Sequence, residues 1–184
     1  CEHCHAPAKF WTGYGAEVCA RCHDGAGTGA PRIVEAWRQS AMSRRPLPEQ
    51  SEADCAPCHV AYAAAARLDG REARAPTEED PMSGVTCGVC HDAHDARHPR
   101  QLRRHGVAKV GARTIASGAG AVCFECHGQG EPWDWREAAR EGRAPHAPQG
   151  WMIAAGPHAN VEDACVGCHM RGGNGMTVGG HSFA

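Results

Sequence analysis

The pentapeptide Cys-Gly-Val-Cys-His at residues 87–91 decides how this chain can fold. The same pattern, Cys-x-x-Cys-His, occurs six times, and every cysteine belongs to one of these motifs. Two thiols three residues apart can form thioethers with two vinyl groups on one edge of a porphyrin, and the following imidazole can bind the iron as proximal ligand. The sequence therefore predicts six covalently bound haem c cofactors. The thioether cysteines are Cys1, Cys4, Cys19, Cys22, Cys55, Cys58, Cys87, Cys90, Cys123, Cys126, Cys165 and Cys168, and the proximal histidines are His5, His23, His59, His91, His127 and His169.

Other uses of paired cysteines explain the pattern less well. Zinc ribbons use two Cys-x-x-Cys pairs for one tetrahedral site, and secreted chains often use cysteines for disulfide frameworks. Neither use requires a histidine after every pair. A thioredoxin-like redox centre needs one motif in a βαβ unit rather than six.

The composition also indicates that something other than side chains fills the interior. Leu, Ile, Val and Phe together make up only 20 of 184 residues, and the formal net charge is −2. A chain this poor in large apolar residues cannot build a well-packed core alone. Six haems would supply that core, and the protein would be a thin wrapping. We expect no transmembrane segment and no nucleic-acid partner.

The remaining histidines and methionines can supply the second axial ligands. His94 lies three residues after His91, too close to bind the same iron from the opposite face, so we expect it to bind a neighbouring haem. Met42 is either a thioether ligand, which would raise the potential of its haem, or core filler. The distal candidates are His94, His146, His158, His181 and Met42, followed by His3, His105 and His98.

The predicted fold class is a multihaem cytochrome c, mostly coil with a few short α-helices around a stacked haem chain and minimal β structure. We predict helices over 31–44, over 52–69 with Ser51 and Asp54 as a capping box, over 134–141, and over 161–169 with Asn160 as cap. Gly/Pro-rich loops are predicted over 70–86, 106–120, 142–160 and 171–180. Residues 1–184 are expected to form a single hexahaem domain. Because Cys1 already belongs to a motif, we expect the chain to begin inside a processed, exported protein.

Several phrases resemble the multihaem c-type cytochromes of anaerobic and extracellular respiration. Gly-Val-Thr-Cys-Gly-Val-Cys-His-Asp-Ala-His at 84–94 is similar to a unit of that family, with alanine in place of a usual proline. Cys-Val-Gly-Cys-His-Met at 165–170 with Gly-His-Ser-Phe at 180–183 resembles its closing unit, which supports His181 as a ligand. Ala-Pro-His-Ala-Pro-Gln-Gly at 144–150 supports His146 in the same way. Trp-Arg-Gln-Ser-Ala-Met at 37–42 resembles a phrase with histidine at the last position, which favours Met42 as a ligand.

The resemblance implies electron transfer through closely stacked haems rather than catalysis. Relatives of this kind are periplasmic shuttles or subunits of extracellular filaments, so the expected partners are other redox proteins or further copies of this chain. In a filament, His3 would bind a haem of the next subunit. The expected location is outside the cytoplasm, in the periplasm, on the cell surface or beyond it. The alternative is a multihaem redox enzyme of the nitrite, hydroxylamine or sulfite type, which needs one haem with an open distal face.

Overall fold

The computed structural model describes residues 15–24, 32–47, 52–73, 83–129, 137, 140–142, 146–171 and 180–183. The first motif and His3 lie outside these residues. The chain divides into two compact units, one of residues 1–103 with 169–184 and one of residues 104–168. Each unit is described by itself below.

The first unit contains short helices separated by turns. They are α1 (Ala16–His23), α2 (Ile33–Arg38), α3 (Ala56–His59), α4 (Ala61–Leu68) and α5 (Cys87–Cys90), with 3-10 turns at Ala41–Ser43 and Pro99–Gln101. Helix α4 packs against α3 and α5, and α1 packs against α2 and α5. Four consecutive alanines, Ala63–Ala66, are buried along α4. Because a helix that is buried on all sides needs small side chains where other elements approach closely, this alanine run forms the centre of the unit.

The second unit is built on a β-hairpin. Strands β1 (Gly106–Val110) and β2 (Arg113–Gly118) pair antiparallel, and their side chains alternate between buried and exposed. Helices α6 (Ala121–His127) and α7 (Gln149–Ala155) pack against β1, and a 3-10 turn follows at Pro157–Asn160. The small core contains Val110, Ile115 and Phe124, with Trp151 packed against them. The last helix, α8 (Ala164–His169), ends where the chain returns to the first unit.

The general prediction of short helices with little β structure is confirmed, but two predicted loops are wrong. Residues 106–120 form the hairpin, because Gly111 has a φ of +57° in the two-residue turn that joins the strands. Primed hairpin turns require this conformation, and glycine adopts it without strain. Residues 142–160 include α7, which forms because Ala154 is buried and Trp151 and Ile153 pack on the hairpin core.

Two predicted helices are shorter than expected. The segment 31–44 breaks after α2, where the Ser40 hydroxyl donates to the carbonyl of Trp37 at 2.6 Å and competes with the helical backbone. The segment 161–169 becomes helical only at Ala164, because Asp163 has a left-handed φ of +52°. Asn160 ends the preceding 3-10 turn instead of capping α8.

The helix predicted over 52–69 is two helices. Helix α3 begins at Ala56, since Pro57 lacks the N–H that a continuing helix would use. Val60 is extended, and the N–H of Ala61 donates to Ser83 at 3.0 Å. Ser51 lies outside the described residues. So does most of 134–141, where Glu137, Arg140 and Glu141 are helical.

Among the described residues, no helix has both the length and the apolar character needed to cross a membrane.

Candidate haem-binding site

The five described motifs share one local geometry. In each, the cysteine pair lies on or at the start of a helical turn, with Cys55 directly before α3, and the histidine stands at or directly after the last helical residue. The five turns are parts of α1, α3, α5, α6 and α8. Side chains three residues apart project from the same face of a helix, so both thiols of a pair are presented to one side. This arrangement fits two thioether bonds to one porphyrin edge.

The thiols in these motifs are not paired as disulfides. None of the ten described motif cysteines forms a disulfide; Cys22 and Cys168 are exposed, and the others are half-buried. Covalent attachment to vinyl groups needs thiols that are not held in disulfides. Among the described residues, no group of three or more His, Cys, Asp and Glu side chains is arranged to hold a bare metal ion.

Cysteines of the second and fourth motifs meet in the first unit. The thiols of Cys19 and Cys87 are hydrogen-bonded, and α1 packs against α5. This hydrogen bond lowers the pKa of Cys19 to about 7 although burial opposes the change. The same contact, together with burial, raises the pKa of Cys87. Two motifs that are far apart in sequence therefore begin at neighbouring points in space.

Cysteines of the fifth and sixth motifs meet in the second unit in the same way. A hydrogen bond with Cys123 lowers the pKa of the Cys165 thiol against the effect of burial. A Cβ atom added to Gly120 would lie only 3.6 Å from the Cβ of Cys165. The carboxylate of Asp163, just before α8, accepts a hydrogen bond from the backbone N–H of Ala119, just before α6. These contacts bring the beginnings of the two motif helices together.

The proximal histidine of the fourth motif is oriented by the backbone. The Nδ1 atom of His91 lies 2.8 Å from the carbonyl oxygen of Arg100. Since a carbonyl only accepts hydrogen bonds, Nδ1 carries the proton and Nε2 keeps its lone pair for a metal. Arg100 and Gln101 both have a φ of +56°, a left-handed conformation that is costly for residues with a Cβ. This strained turn aims the carbonyl at His91.

The proximal histidine of the fifth motif has a side-chain partner. Nδ1 of His127 lies 3.2 Å from Oε1 of Gln149, at the start of α7. The helix can approach because residue 150 is glycine, whose added Cβ would lie 2.5 Å from Cα of Gly128. Sequence reasoning did not single out Gln149 or the Arg100 carbonyl. The sequence did offer one indication for Gln149, because it lies three residues after the predicted ligand His146.

A partly apolar cleft lies beside the third motif. It measures about 440 Å³, within the range of about 300–1,000 Å³ of cofactor clefts. Pro57 and Ala63 contribute apolar surface, and the arginines Arg67 and Arg71 stand beside the acidic residues Asp54 and Glu72. The fit to covalently bound haem therefore rests on the cysteine pairs and the oriented imidazoles, and the cleft adds apolar surface next to the third motif.

The candidate distal ligands differ in how exposed they are and in which residues they contact. His94 is 79% exposed and lies 3.7 Å from the carboxylate of Asp92. His105, His146 and His158 are exposed, and His98 is half-buried before the turn at Pro99–Gln101. Met42 is half-buried in the turn Ala41–Ser43, and its carbonyl lies against Gly84. His181 is brought to the proximal side chain His91, with 6.3 Å between the ring centroids.

Comparison with known proteins gives one family match. The family model described as "Doubled CXXCH motif" matches residues 80–131, which contain the fourth and fifth motifs. The match supports a multihaem c-type cytochrome, with covalently bound haem c and a role in electron transport. No curated protein and no solved structure matches the chain. A c-type haem motif is also consistent with an exported protein.

Proposed function

We propose that this chain is an electron-transfer protein with six covalently bound c-type haems in a closely spaced series. The six cysteine pairs hold the porphyrins, and the six following histidines hold the irons from the proximal side. When bound, each haem supplies a one-electron change between ferric and ferrous iron. The protein's own residues attach the cofactors, orient the ligands and set the distances between neighbours.

The observation that supports this function best is the contact between cysteines of different motifs. Each thioether joins a porphyrin edge directly to a sulfur atom. The hydrogen-bonded pairs Cys19–Cys87 and Cys123–Cys165 therefore favour two places where porphyrin edges lie next to each other. Neighbouring porphyrin edges suit electron transfer from haem to haem, on which a conduit depends; the multihaem enzyme would differ from it by one haem with an open distal face.

The physiological role we propose is conduction of electrons in the periplasm or outside the cell. The chain would pass electrons between other redox proteins, or from copy to copy in a homopolymeric filament in which His3 binds a haem of the next subunit. The whole chain acts in this proposal as one hexahaem unit. The supply of distal candidates, which exceeds one for each haem, supports closed iron sites without a substrate position.

The first experiment is haem counting combined with electron paramagnetic resonance. The protein is produced with a c-type maturation system, and the intact mass gives the number of attached haems. Six haems with only low-spin ferric signals are expected. Fewer haems, or a stoichiometric high-spin signal that shifts with nitrite, sulfite or cyanide, would contradict the closed conduit and support the enzyme.

A second experiment addresses the filament. Electron microscopy of the native protein should show polymers, and His3→Ala should abolish them and leave one haem per chain high-spin. The neighbouring variant Glu2→Ala is the matched control. If His3→Ala leaves assembly and spectrum unchanged, His3 does not link subunits.

A further inference from the structure

The segment that carries His181 is anchored directly behind the sixth motif. The N–H of Gly180 donates to the carbonyl of Met170 at 2.5 Å. A Cβ added to Gly180 would lie 3.3 Å from the carbonyl oxygen of Arg171, so the two backbone stretches are in close contact. The chain after the last motif therefore folds back, and His181 follows immediately at a defined position.

His181 faces the proximal histidine of another motif. Its ring centroid lies 6.3 Å from that of His91, and the ring planes are tilted by 31°. The ring of Phe183 also lies against that of His181, with 6.1 Å between the centroids and 70° between the planes, which restricts the orientation of the imidazole. Ninety residues separate the two histidines in sequence, yet both belong to the first unit.

The spacing equals that of two imidazoles on opposite sides of one metal. A metal–imidazole bond of about 2.0–2.1 Å, with about 1.1 Å from the ring nitrogen to the ring centre, gives a separation of about 6.2–6.4 Å. A direct hydrogen bond between the rings would bring their centres to about 5 Å. The observed distance is too long for that bond and has room for one iron.

The tautomer of His91 agrees with this geometry. Its Nδ1–H is engaged by the Arg100 carbonyl, which leaves Nε2 as the ligating atom. We propose that His181 is the distal ligand of the haem attached to Cys87 and Cys90, with His91 as its proximal ligand. This assignment rests on the proposed haem-binding function and adds which haem His181 serves. It also makes the iron a link between the fourth motif and the C-terminal segment.

The test counts open haems in a set of variants by electron paramagnetic resonance. The haem content of each variant is measured by mass. His181→Ala should convert one haem per chain to high-spin, and added imidazole should restore the low-spin signal. The neighbouring change Ser182→Ala should leave every haem low-spin. If His181→Ala also leaves every haem low-spin, the two rings are only an aromatic contact, for which about 4.5–7 Å is an ordinary distance, and the proposal is wrong.

Removing the fourth haem identifies which iron His181 binds. In a chain with Cys87→Ala and Cys90→Ala, the additional change His181→Ala should produce no high-spin haem. A high-spin signal in that combined variant would assign His181 to another haem and overturn the proposal. The double variant His91→Ala with His181→Ala gives an independent count, since it should contain one altered haem rather than two. A wild-type protein without haem would instead contradict the proposed function itself, which separates the two failures.

Discussion

Arg103 connects three parts of the first unit, and its removal should be costly. Its guanidinium lies 2.7 Å from Asp69, at the end of α4, and 3.1 Å from Asp92, after the fourth motif. Its Nε donates to the carbonyl of Gly88 at 2.9 Å. The Arg103 side chain is only 8% exposed, whereas the two carboxylates are 25% and 28% exposed.

The expected cost of Arg103→Ala follows from these contacts. Breaking a buried pair by removing one partner costs about 3–5 kcal/mol, and single hydrogen bonds to charged groups contribute about 1.5–3 kcal/mol. Because water reaches both carboxylates after the change, we expect a cost below the full penalty of a buried pair, about 2–4 kcal/mol. For a chain of this size, the Tm should fall by roughly 5–15 °C.

Thermal unfolding of the haem-loaded protein, followed by far-ultraviolet circular dichroism, measures this change. Arg97→Ala is the matched control, because Arg97 also pairs with an aspartate, Asp95, but is 83% exposed. Exposed pairs contribute little to stability. Arg103→Lys should be intermediate, since it keeps the charge but loses the planar fork. If Arg103→Ala lowers the Tm no more than Arg97→Ala, burial of the ion pair does not stabilise this unit.

Three further changes have definite expected results. Gln149→Leu should raise the reduction potential of the haem bound by His127, because the lost hydrogen bond makes the imidazole a weaker donor to ferric iron; each tenfold change in relative affinity appears as about 59 mV in a spectroelectrochemical titration. Gly150→Ala should destabilise the second unit by about 1–3 kcal/mol in denaturant unfolding, since the new Cβ meets backbone atoms of His127 at 2.9 Å and of Gly128 at 2.5 Å. Burial opposes ionisation of Asp69, but Arg71 and Arg103 outweigh it and lower its pKa below the ordinary 3.8. Its stabilising effect is therefore present above pH 3.8 and lost as the pH falls through the lower folded value, so Asp69→Asn should flatten the dependence of Tm on pH in that acidic range.

Each of these changes has an outcome that would contradict it. Gln129→Leu is the control for Gln149, because Gln129 donates to the carbonyl of Phe124 and not to an imidazole. If the titrations of both variants superimpose on that of the wild type, the hydrogen bond to His127 does not set the potential. Gly167→Ala is the control for Gly150, because nothing lies within 4 Å of its added Cβ and alanine favours the helix. An equal loss of stability in both glycine variants would refute the steric argument. For Asp69, unchanged pH profiles would show that its ion pairs do not differ between the folded and unfolded states.

The sequence predicted the chemistry of the site better than its scaffold. The spacing of each motif, for example Cys87 to His91, is a local property, so the turn geometry could be expected without a fold. The hairpin was missed because its alternation, Val107 to Val110, is short and its turn depends on one glycine. The helix containing Trp151 was missed because it is held by tertiary packing on the hairpin rather than by its own propensity.

Contacts between motifs could not be predicted because they depend on long-range packing. Nothing local links Cys19 to Cys87 or His181 to His91. The orienting carbonyl of Arg100 was equally hidden, since it depends on two residues with left-handed backbone. His181 was selected as a candidate ligand from the sequence, but its proximity to His91 is visible only in the three-dimensional structure.

At the alanine run of α4, substitutions by larger side chains are more informative than substitutions by smaller ones. Because Ala63–Ala66 are already alanine, alanine scanning cannot test their contribution to stability. Enlargement is the informative change, because extra methylenes at these positions must push neighbouring helices apart. Tolerated variation should therefore be asymmetric in size along this helix, with glycine and serine accepted more readily than valine or leucine. In a library of substitutions sorted by side-chain volume, the stability of the fold should fall sharply above a limiting volume instead of peaking at an intermediate one.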